Sequence, residues 1–369
     1  MLKDDNLEKW EYREHTHVKH IILEKYLDAW IKILGSSNRR ICYFDGFAGR
    51  GEYTDGTLGS PLIALKLANK LEQYYDKFVC IFIEKNSENY RNLESVLDRE
   101  TPIIKPTDKI KIEKENDEFA NIIEDIFKDL ERQKYVLVPS FFFIDPFGFS
   151  GVPFKIVKKI LSNPKTEIFF TFMVRDINRF LSNEKLKKTF NELFGTDRWQ
   201  EVLKTEDNQE VALRDFYRQN LHEQAGLKFS WSFRVCTSEK KQSLYYLIHA
   251  TNNFKGHSIM KGIMCNQSAE GDFAYLGPED VSARSQIKLF NIENIEDLKK
   301  YLLERFKGGV VTYDEIQRQV CEPWNEEPPY IDKHYRQALK ELEGEQKVII
   351  KRISSKKTGL REDDRITFA

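Results

Sequence analysis

Cysteine is scarce in this 369-residue sequence. The five cysteines are odd in number and widely spaced, and no two of them form a C-x-x-C pair. We therefore expect neither a disulfide framework nor a zinc site, and we predict no metal. Three of the five lie in apolar, strand-like segments, where a thiol packs as a small hydrophobic side chain: Cys42, Cys80 and Cys236.

The sequence also lacks a long apolar run and an excess of one charge. No segment approaches the roughly 18–20 apolar residues of a membrane-spanning helix, and the first twelve residues are too charged for a secretory signal. Lys and Arg total 58 against 59 Asp and Glu, so the whole-chain charge indicates no polyanionic partner. With 40% hydrophobic residues the chain can bury a sizeable core, and we expect a cytoplasmic protein of about two domains.

Strand-like and helix-like segments alternate through the first two thirds of the chain. An amphipathic helix that ends at Gly35 comes first. Five strands separated by helices then predict a doubly wound, mostly parallel sheet. A helical insert at about 178–228 follows, and two β-rich runs after it predict an antiparallel hairpin at the sheet edge. The predicted strands are 41–44, 78–83, 109–112, 136–144 and 167–174, with hairpin strands 229–237 and 243–251.

The sequence changes character near residue 291. Three helical segments precede two short strands around a polar turn, which is the order of a winged helix-turn-helix. We therefore divide the chain into a helical cap (1–39), an α/β domain (40–290) and a winged helix (291–369). Residues 333–369 carry ten Lys or Arg against six Asp or Glu, which favours nucleic-acid binding over the alternative of a solvated helix face. The candidate nucleic-acid contacts are Lys333, Arg336, Lys340, Lys351, Arg352, Lys356 and Lys357.

The most informative stretch is Asp45-Gly-Phe-Ala-Gly-Arg-Gly51, directly after the first predicted strand. Glycines at this point allow a close ligand approach that a Cβ would block. The acid comes first, unlike in the Gly-x-Gly-x-x-Gly dinucleotide fingerprint, and this order resembles motif I of S-adenosylmethionine-dependent methyltransferases. The resemblance implies S-adenosylmethionine as cofactor; a tight turn without a ligand is the alternative. The candidate cofactor residues here are Asp45, Gly46, Phe47, Ala48, Gly49 and Gly51.

Polar side chains also end the second and third predicted strands. Glu84 follows the second strand, where a carboxylate can accept hydrogen bonds from both ribose hydroxyls. After the third strand, Asn116 or Asp117 can contact the adenine amino group. The alternatives are a solvated acid at Glu84 and helix capping at the other two positions.

The fourth predicted strand ends in Ile144-Asp-Pro-Phe-Gly148. A carboxylate and a proline-fixed carbonyl beside an aromatic ring suit the binding of an exocyclic amine, with the ring stacked on its base. The segment resembles the Asp-Pro-Pro-Tyr motif of amino-group methyltransferases and, more closely, the Asp-Pro-Phe-Gly of tRNA guanine N2-methyltransferases. The candidate catalytic residues are Asp145, Pro146 and Phe147, with Phe149 as an alternative stacking residue. The alternative is a rigid turn that closes a buried strand and has no catalytic role.

Histidines at two places in the sequence are candidates for a metal site or for proton transfer. His15, His17 and His20 are close in sequence, and a solvated helix face explains them better than a metal site. His249 lies in a predicted hairpin strand, where we expect a structural histidine rather than a proton shuttle.

Several motifs together resemble the three-Cys-motif partner (TcmP) family over about residues 10–265. They are Lys19-x-x-Ile-Leu-x-x-Tyr-Leu-x-x-Trp30, the two motifs after strands one and four, and His249-Ala-Thr-Asn252 with Gly256 and Met260-Lys261. The resemblance implies a Rossmann-like methyltransferase fold and a partner that carries a three-cysteine motif. We expect an enzyme that methylates an exocyclic base amine in nucleic acid, DNA or RNA. The alternative is a non-catalytic nucleic-acid-binding or scaffold subunit with the same fold.

Overall fold

The computed structural model describes residues 11–202, 204, 208–237, 241–268, 273–277, 292–353 and 359–369. One large sheet lies at the centre of the α/β domain, and a small sheet belongs to the C-terminal winged helix. Within these residues no helix is both long and apolar enough to cross a membrane.

Eight strands form the large sheet. They are β1 (Arg40–Asp45), β2 (Lys77–Ile83), β3 (Ile110–Glu115), β4 (Ser140–Ile144), β5 (Thr166–Phe172), β6 (Phe229–Cys236), β7 (Ser243–Thr251) and β8 (Ala274–Tyr275). Their order is β3-β2-β1-β4-β5-β7-β6-β8. Strands β1 to β5 run parallel, whereas β7 pairs antiparallel with both β5 and β6. This is the doubly wound, Rossmann-like methyltransferase fold with an antiparallel edge hairpin that the sequence predicts, and the strand order reverses between β1 and β4.

Helices cover both faces of this sheet. In chain order they are α1 (Glu14–Trp30), α2 (Ser60–Lys70), α3 (Ser87–Ile104), α4 (Phe119–Gln133), α5 (Phe154–Leu161), α6 (Val174–Phe180), α7 (Lys187–Phe194), α8 (Trp199–Val202), α9 (Gln209–Ala225) and α10 (Phe254–Cys265). Helices α1, α2, α3 and α10 share one core with Phe141 and Phe143, and α4 to α9 share the other with Phe142 and Ile144. Successive β4 side chains thus point to opposite faces, and both faces are buried.

Several element boundaries differ from the sequence prediction. Strand β4 begins at Ser140 rather than at residue 136, and Val136 is 78% exposed in the segment before it. Helix α1 continues through a π-helical turn, Ile31–Gly35, instead of ending as a regular helix. The segment 259–264, which the sequence leaves open between helix and strand, belongs to α10.

The C-terminal residues form the predicted winged helix-turn-helix. Its elements are α11 (Ile292–Arg305), β9 (Val310–Thr312), α12 (Tyr313–Cys321), α13 (Asp332–Gly344), β10 (Val348–Lys351) and β11 (Arg365–Phe368). The three strands pair antiparallel in the order β10-β11-β9, and β9 is a strand that the sequence does not predict. A separate core that includes Leu298, Ile316, Leu339 and Ile366 holds these elements together.

The loop between α12 and α13 contacts the α/β domain through a buried carboxylate. Glu327 accepts hydrogen bonds from His257 Nε2 at 2.9 Å and Lys261 Nζ at 2.6 Å. Burial alone would raise the pKa of Glu327, but the neighbouring His257 and Lys261 lower it to about 2. Among the described residues, His257, Cys321 and Glu327 are the one group of three side chains spaced to ligate a metal. Because the Lys261 ammonium already neutralises this carboxylate, we interpret these side chains as an ion-paired contact between the winged helix and the α/β domain.

A second buried carboxylate joins α1 to the sheet. The Tyr26 hydroxyl donates to Glu167, and His249 Nε2 lies 3.0 Å from the Glu167 carboxylate. A Cβ at Gly256, in the first turn of α10, would lie 2.8 Å from the Tyr26 hydroxyl and 3.0 Å from Glu167 Oε1. The absence of a side chain at Gly256 therefore leaves room for this cluster. His249 is fully buried in this cluster, and its structural role stays a prediction.

We expect Gly256→Ala to destabilise the protein by about 1–3 kcal/mol, because its methyl group overpacks the Tyr26–Glu167 contact. Gly262→Ala in the same helix is the matched control, since a Cβ there meets nothing within 4 Å. The control is expected to be neutral or to stabilise by up to about 1 kcal/mol through helix propensity. Urea unfolding of both variants measures the difference; equal unfolding free energies would contradict the packing role of Gly256.

Candidate active site

The carboxyl ends of β1, β2, β3 and β4 meet at one edge of the large sheet. Asp45 ends β1 and pairs in register with Phe143 of β4, two residues before Asp145. Glu84 follows β2, and Asn116 follows β3. The topology therefore brings the two sequence motifs of β1 and β4 side by side, at the edge where ligands bind in open α/β sheets.

The glycine-containing loop after β1 is held by backbone hydrogen bonds to both neighbouring strands. Gly46 N donates to Phe143 O and Ala48 N to Ile83 O, both at 2.9 Å. Gly46 also packs so closely that a Cβ would lie 2.7 Å from the Phe119 ring. Gly49 has φ +65°, a conformation that favours glycine. Phe47 and Gly51 lie in the same loop, half-buried and buried respectively.

Glu84 ties this loop to the end of β2. Its Oε2 accepts from Gly49 N at 3.0 Å, and its Oε1 accepts from Asn86 N at 2.7 Å. The side chain is buried, and that burial raises the pKa of Glu84 against the opposing effect of these amides. Each carboxylate oxygen has a second lone pair, so Glu84 can hold the loop and still accept a ligand hydroxyl.

Asn116 and Asp117 border a shallow cavity beside Glu84. Asn116 Nδ2 donates to Glu84 O at 2.7 Å, which joins the ends of β2 and β3. Asp117 accepts from Asn121 in the first turn of α4 at 3.0 Å, and this bond helps to lower the pKa of Asp117. The cavity has a volume of about 310 Å³ and is lined by Lys85, Asn86, Asn116, Asp117 and Glu118. Both polar residues thus have structural bonds, and their contact with adenine stays a prediction.

Asp45 lies beneath the loop rather than on its surface. Its side chain is fully buried and accepts from the Tyr43 hydroxyl at 3.3 Å and from Phe47 N at 3.4 Å. Burial raises the pKa of Asp45 to about 7, although hydrogen bonds such as that from Ser60 act in the opposite direction. Asp45 therefore organises the loop from below, and a direct contact with cofactor stays a prediction.

Asp145 forms an ion pair that sequence reasoning does not anticipate. Lys19 of α1 donates to Asp145 Oδ2, and its side chain is only 8% exposed, against 22% for Asp145. The Lys19 ammonium also lies 5.5 Å from the centre of the Tyr245 ring. The signal was present in the sequence, since Lys19 interrupts the apolar face that Ile22, Leu23 and Tyr26 continue.

The two phenylalanines proposed for base stacking have different surroundings. Phe149 stacks on Phe190 of α7, with ring centres 4.9 Å apart. Phe147 is 63% exposed at the sheet edge, next to Pro146. The structure thus leaves Phe147 as the stacking candidate, because the Phe149 ring belongs to the core around the helical insert.

Three aromatic side chains, which we call the ring cluster, lie at the start of α1 and in the loop after β1: Tyr12, His20 and Tyr53. The Tyr12 and Tyr53 ring centres are 4.9 Å apart, and both rings lie within 6 Å of His20. The solvated-face interpretation is wrong for His20, which is 4% exposed and whose burial lowers its pKa to about 3. Helix α1 packs on the sheet through this face, so a histidine on it loses water.

Two of the candidate basic residues of the winged helix form ion pairs within this domain. Arg336 donates to Asp332 at 2.6 Å, and Arg352 pairs with Glu343 through two bonds of 2.6 and 2.7 Å. The side chains of Lys333, Lys340 and Lys351 are exposed. Lys356 and Lys357 lie outside the described residues. Two of the candidate contacts therefore already stabilise the domain, and nucleic-acid binding by this set stays a prediction.

The chain shows limited similarity to known proteins. The family model of the GMT-like wHTH domain matches residues 279–352, and no match is found among curated proteins. An O-methyltransferase from Bacillus cereus in complex with SAH is 16% identical (67% of this chain, 100% of that chain, TM-score 0.31). Trm1 from Pyrococcus horikoshii with S-adenosyl-L-methionine is 10% identical (71% and 61%, TM-score 0.31). The N-terminal domain of human METTL16 in complex with SAH is also 10% identical (62% and 69%, TM-score 0.30). Similarities of this size carry no functional inference.

The raised pKa of Asp45 predicts a pH-dependent gain in stability for Asp45→Asn. Native Asp45 holds its proton up to about pH 7, whereas its ordinary pKa is 3.8, so wild type loses stability from this group as pH rises between these values. The melting temperature of the variant relative to wild type should therefore rise from pH 4 to pH 8. Asp363→Asn, at an exposed position, controls for the loss of a carboxylate. A melting-temperature difference between Asp45→Asn and wild type that stays constant with pH would contradict the effect of burial on Asp45.

Proposed function

We propose that this protein is an S-adenosylmethionine-dependent methyltransferase that acts on an exocyclic amine of a base in nucleic acid. The observation that carries the proposal is the adjacency of β1 and β4, which places the loop after Asp45 beside Asp145. One motif suits a nucleoside cofactor and the other suits an amine, and methyl transfer needs both at the same edge of one sheet.

The residues around the loop fit this cofactor. Gly46 packs against the Phe119 ring and Gly49 has a positive φ. Glu84 would accept ribose hydroxyls in addition to the Gly49 and Asn86 amides. The cavity beside Asn116 can take the adenine. When bound, the cofactor supplies a methyl group on a positively charged sulfur.

The chain's own contribution is to orient the acceptor. The Asp145 carboxylate and the Pro146 carbonyl accept hydrogen bonds from the exocyclic amine, which directs the nitrogen lone pair at the methyl carbon. A cofactor held by the loop after β1 and by Glu84 would supply the methyl group to this nitrogen, and the nitrogen would then release its proton to water. Alignment of nitrogen, methyl carbon and sulfur supplies most of the rate enhancement, and Phe147 stacks on the base.

The winged helix supports a nucleic-acid substrate. Its exposed lysines can neutralise phosphates, and the buried Glu327 contact connects this domain to α10 of the α/β domain. A base inside a duplex has to be flipped out to reach Asp145. We further propose the three-Cys-motif partner on the motif resemblance. The alternative is a non-catalytic nucleic-acid-binding or scaffold subunit, and the departure of Asp145-Pro-Phe-Gly148 from the usual Asp-Pro-Pro-Tyr pattern favours it.

Calorimetry with S-adenosylhomocysteine tests the cofactor site. Glu84→Gln should weaken binding roughly 10- to 100-fold, because it removes charge-assisted hydrogen bonds to the ribose. Glu94→Gln is the control, since Glu94 pairs with Lys114 at 3.0 Å on the outside of α3. Absence of binding by wild type would refute the cofactor assignment. Binding without transfer of labelled methyl groups to DNA or RNA, with or without the partner, would favour the scaffold alternative.

The salt dependence of duplex binding tests the winged helix. Lys340→Ala/Lys351→Ala should weaken binding and reduce the logarithmic salt slope by about 2, given roughly 0.9 per phosphate contact. Both lysines are exposed, so the fold should survive. Lys128→Ala/Lys188→Ala removes two exposed lysines of the α/β domain and should leave the slope unchanged. Equal slopes in the two double variants would place the nucleic-acid contact elsewhere.

A further inference from the structure

The acceptor side of the active site is built partly by helix α1, which lies outside the sheet. Lys19 reaches Asp145 from this helix, and the Tyr245 ring on β7 lies beside the same ammonium. The Tyr245 hydroxyl donates to His15 O at 2.7 Å, so the start of α1 is fixed to the sheet at this point. Asp145 is therefore enclosed by α1 and β7 as well as by its own loop.

The ring cluster lies in the same region. Burial and the nearby Asp145 charge are the two largest causes of the raised pKa of Tyr53, which places its ring near that carboxylate. Tyr12 and His20 adjoin Tyr53 with their ring centres 4.9 and 5.8 Å away. Among the described residues, His20 Nδ1 is buried without a hydrogen-bond partner. Tyr12 and Tyr53 are half-buried, so their rings can pack against a planar ring beside the Lys19–Asp145 ion pair.

We propose that α1 forms the acceptor pocket, with Lys19 as a positioning residue for Asp145 and the ring cluster as the surface against which the acceptor base packs. This inference rests on the proposed function and extends it, because it names the residues that hold the acceptor. The acceptor is a planar heteroaromatic ring with an exocyclic amine, bound between aromatic side chains.

The charge arrangement explains the need for Lys19. Asp45 lies near Asp145 and, as a second carboxyl group, supplies no positive charge to balance it. The Asp145 charge is one cause of the raised pKa of Asp45. Lys19 is the cation that pairs with Asp145 in the described structure. By occupying Oδ2, it fixes the carboxylate plane and leaves Oδ1 to accept from the amine. Removal of the ammonium would let the carboxylate rotate away from the acceptor position.

Steady-state methylation kinetics of Lys19 variants test this role. Lys19→Met should lower kcat about 10- to 100-fold through misalignment of the amine, while KM for the nucleic acid and S-adenosylhomocysteine binding change by less than about threefold. Lys19→Arg, which keeps a cation, should recover part of the lost kcat. Lys25→Met, at an exposed position of the same helix, should behave as wild type.

A stability cycle covers the case in which Lys19→Met folds poorly. Lys19→Met alone leaves the Asp145 carboxylate without its ion pair and should lower the melting temperature, whereas Lys19→Met/Asp145→Asn should recover part of that loss. This measurement needs no enzymatic activity. If the two substitutions change the melting temperature additively, Lys19 and Asp145 are not energetically coupled. That result would overturn the role of Lys19 as a positioning residue.

The ring cluster has a separate readout. Tyr53→Leu should raise KM for the nucleic acid by about tenfold, because it removes the aromatic ring on which the base stacks, and Tyr53→Phe should retain wild-type KM. An unchanged KM in Tyr53→Leu would overturn the stacking surface. Wild type that transfers no methyl group would overturn the proposed function and this inference together, whereas active wild type with fully active Lys19→Met would overturn the inference alone.

Discussion

Helix α1 is anchored to the sheet by a buried carboxylate as well as by its apolar face. Glu167 accepts from Tyr26 on α1 and contacts His249 on β7, and the chain at Gly256 leaves the space for it. Lys19 lies seven residues before Tyr26, two helical turns along the same face. Because Tyr26 is fixed, Lys19 lies over Asp145. The Lys19–Asp145 ion pair therefore depends in part on a contact in the interior of the protein.

Three carboxylates at the same sheet edge have three different environments. Asp45 is fully buried with a pKa of about 7, Glu84 accepts backbone amides, and Asp145 is paired with a lysine. Among the described residues, Asp45 is buried without a cation beside it, and it supports the loop by accepting a hydrogen bond from Phe47 N. The amides at Glu84 hold the loop conformation, and only Asp145 lies beside an exposed aromatic ring, Phe147. The surroundings of the three carboxylates therefore differ, and the proposed cofactor and acceptor roles rest on these differences.

Local sequence signals predicted the parts of this protein that depend on neighbouring residues. Alternating apolar runs predicted the strands, and the glycines after β1 indicated a loop, in which the structure gives Gly49 a positive φ. The winged helix was predicted from the order of its elements. The cofactor fit and the acceptor role rest on motifs that the sheet brings together, and they stay proposals.

Contacts between distant segments were not predictable from local patterns. Lys19 and Asp145 are 126 residues apart, and Glu327 and His257 are 70 apart. The buried state of His20 depends on how α1 packs, which the periodicity of a helix does not specify. Arg336 and Arg352 looked like phosphate contacts because charge counting does not show that Asp332 and Glu343 already bind them.

A crystal structure of the complex with S-adenosylhomocysteine tests the central claim most directly. The account predicts the ribose hydroxyls on Glu84, the adenine in the cavity beside Asn116, and the sulfur directed toward Asp145 with Lys19 still paired to it. A complex in which the ligand lies away from the loop after β1, or with its sulfur directed away from Asp145, would contradict the account.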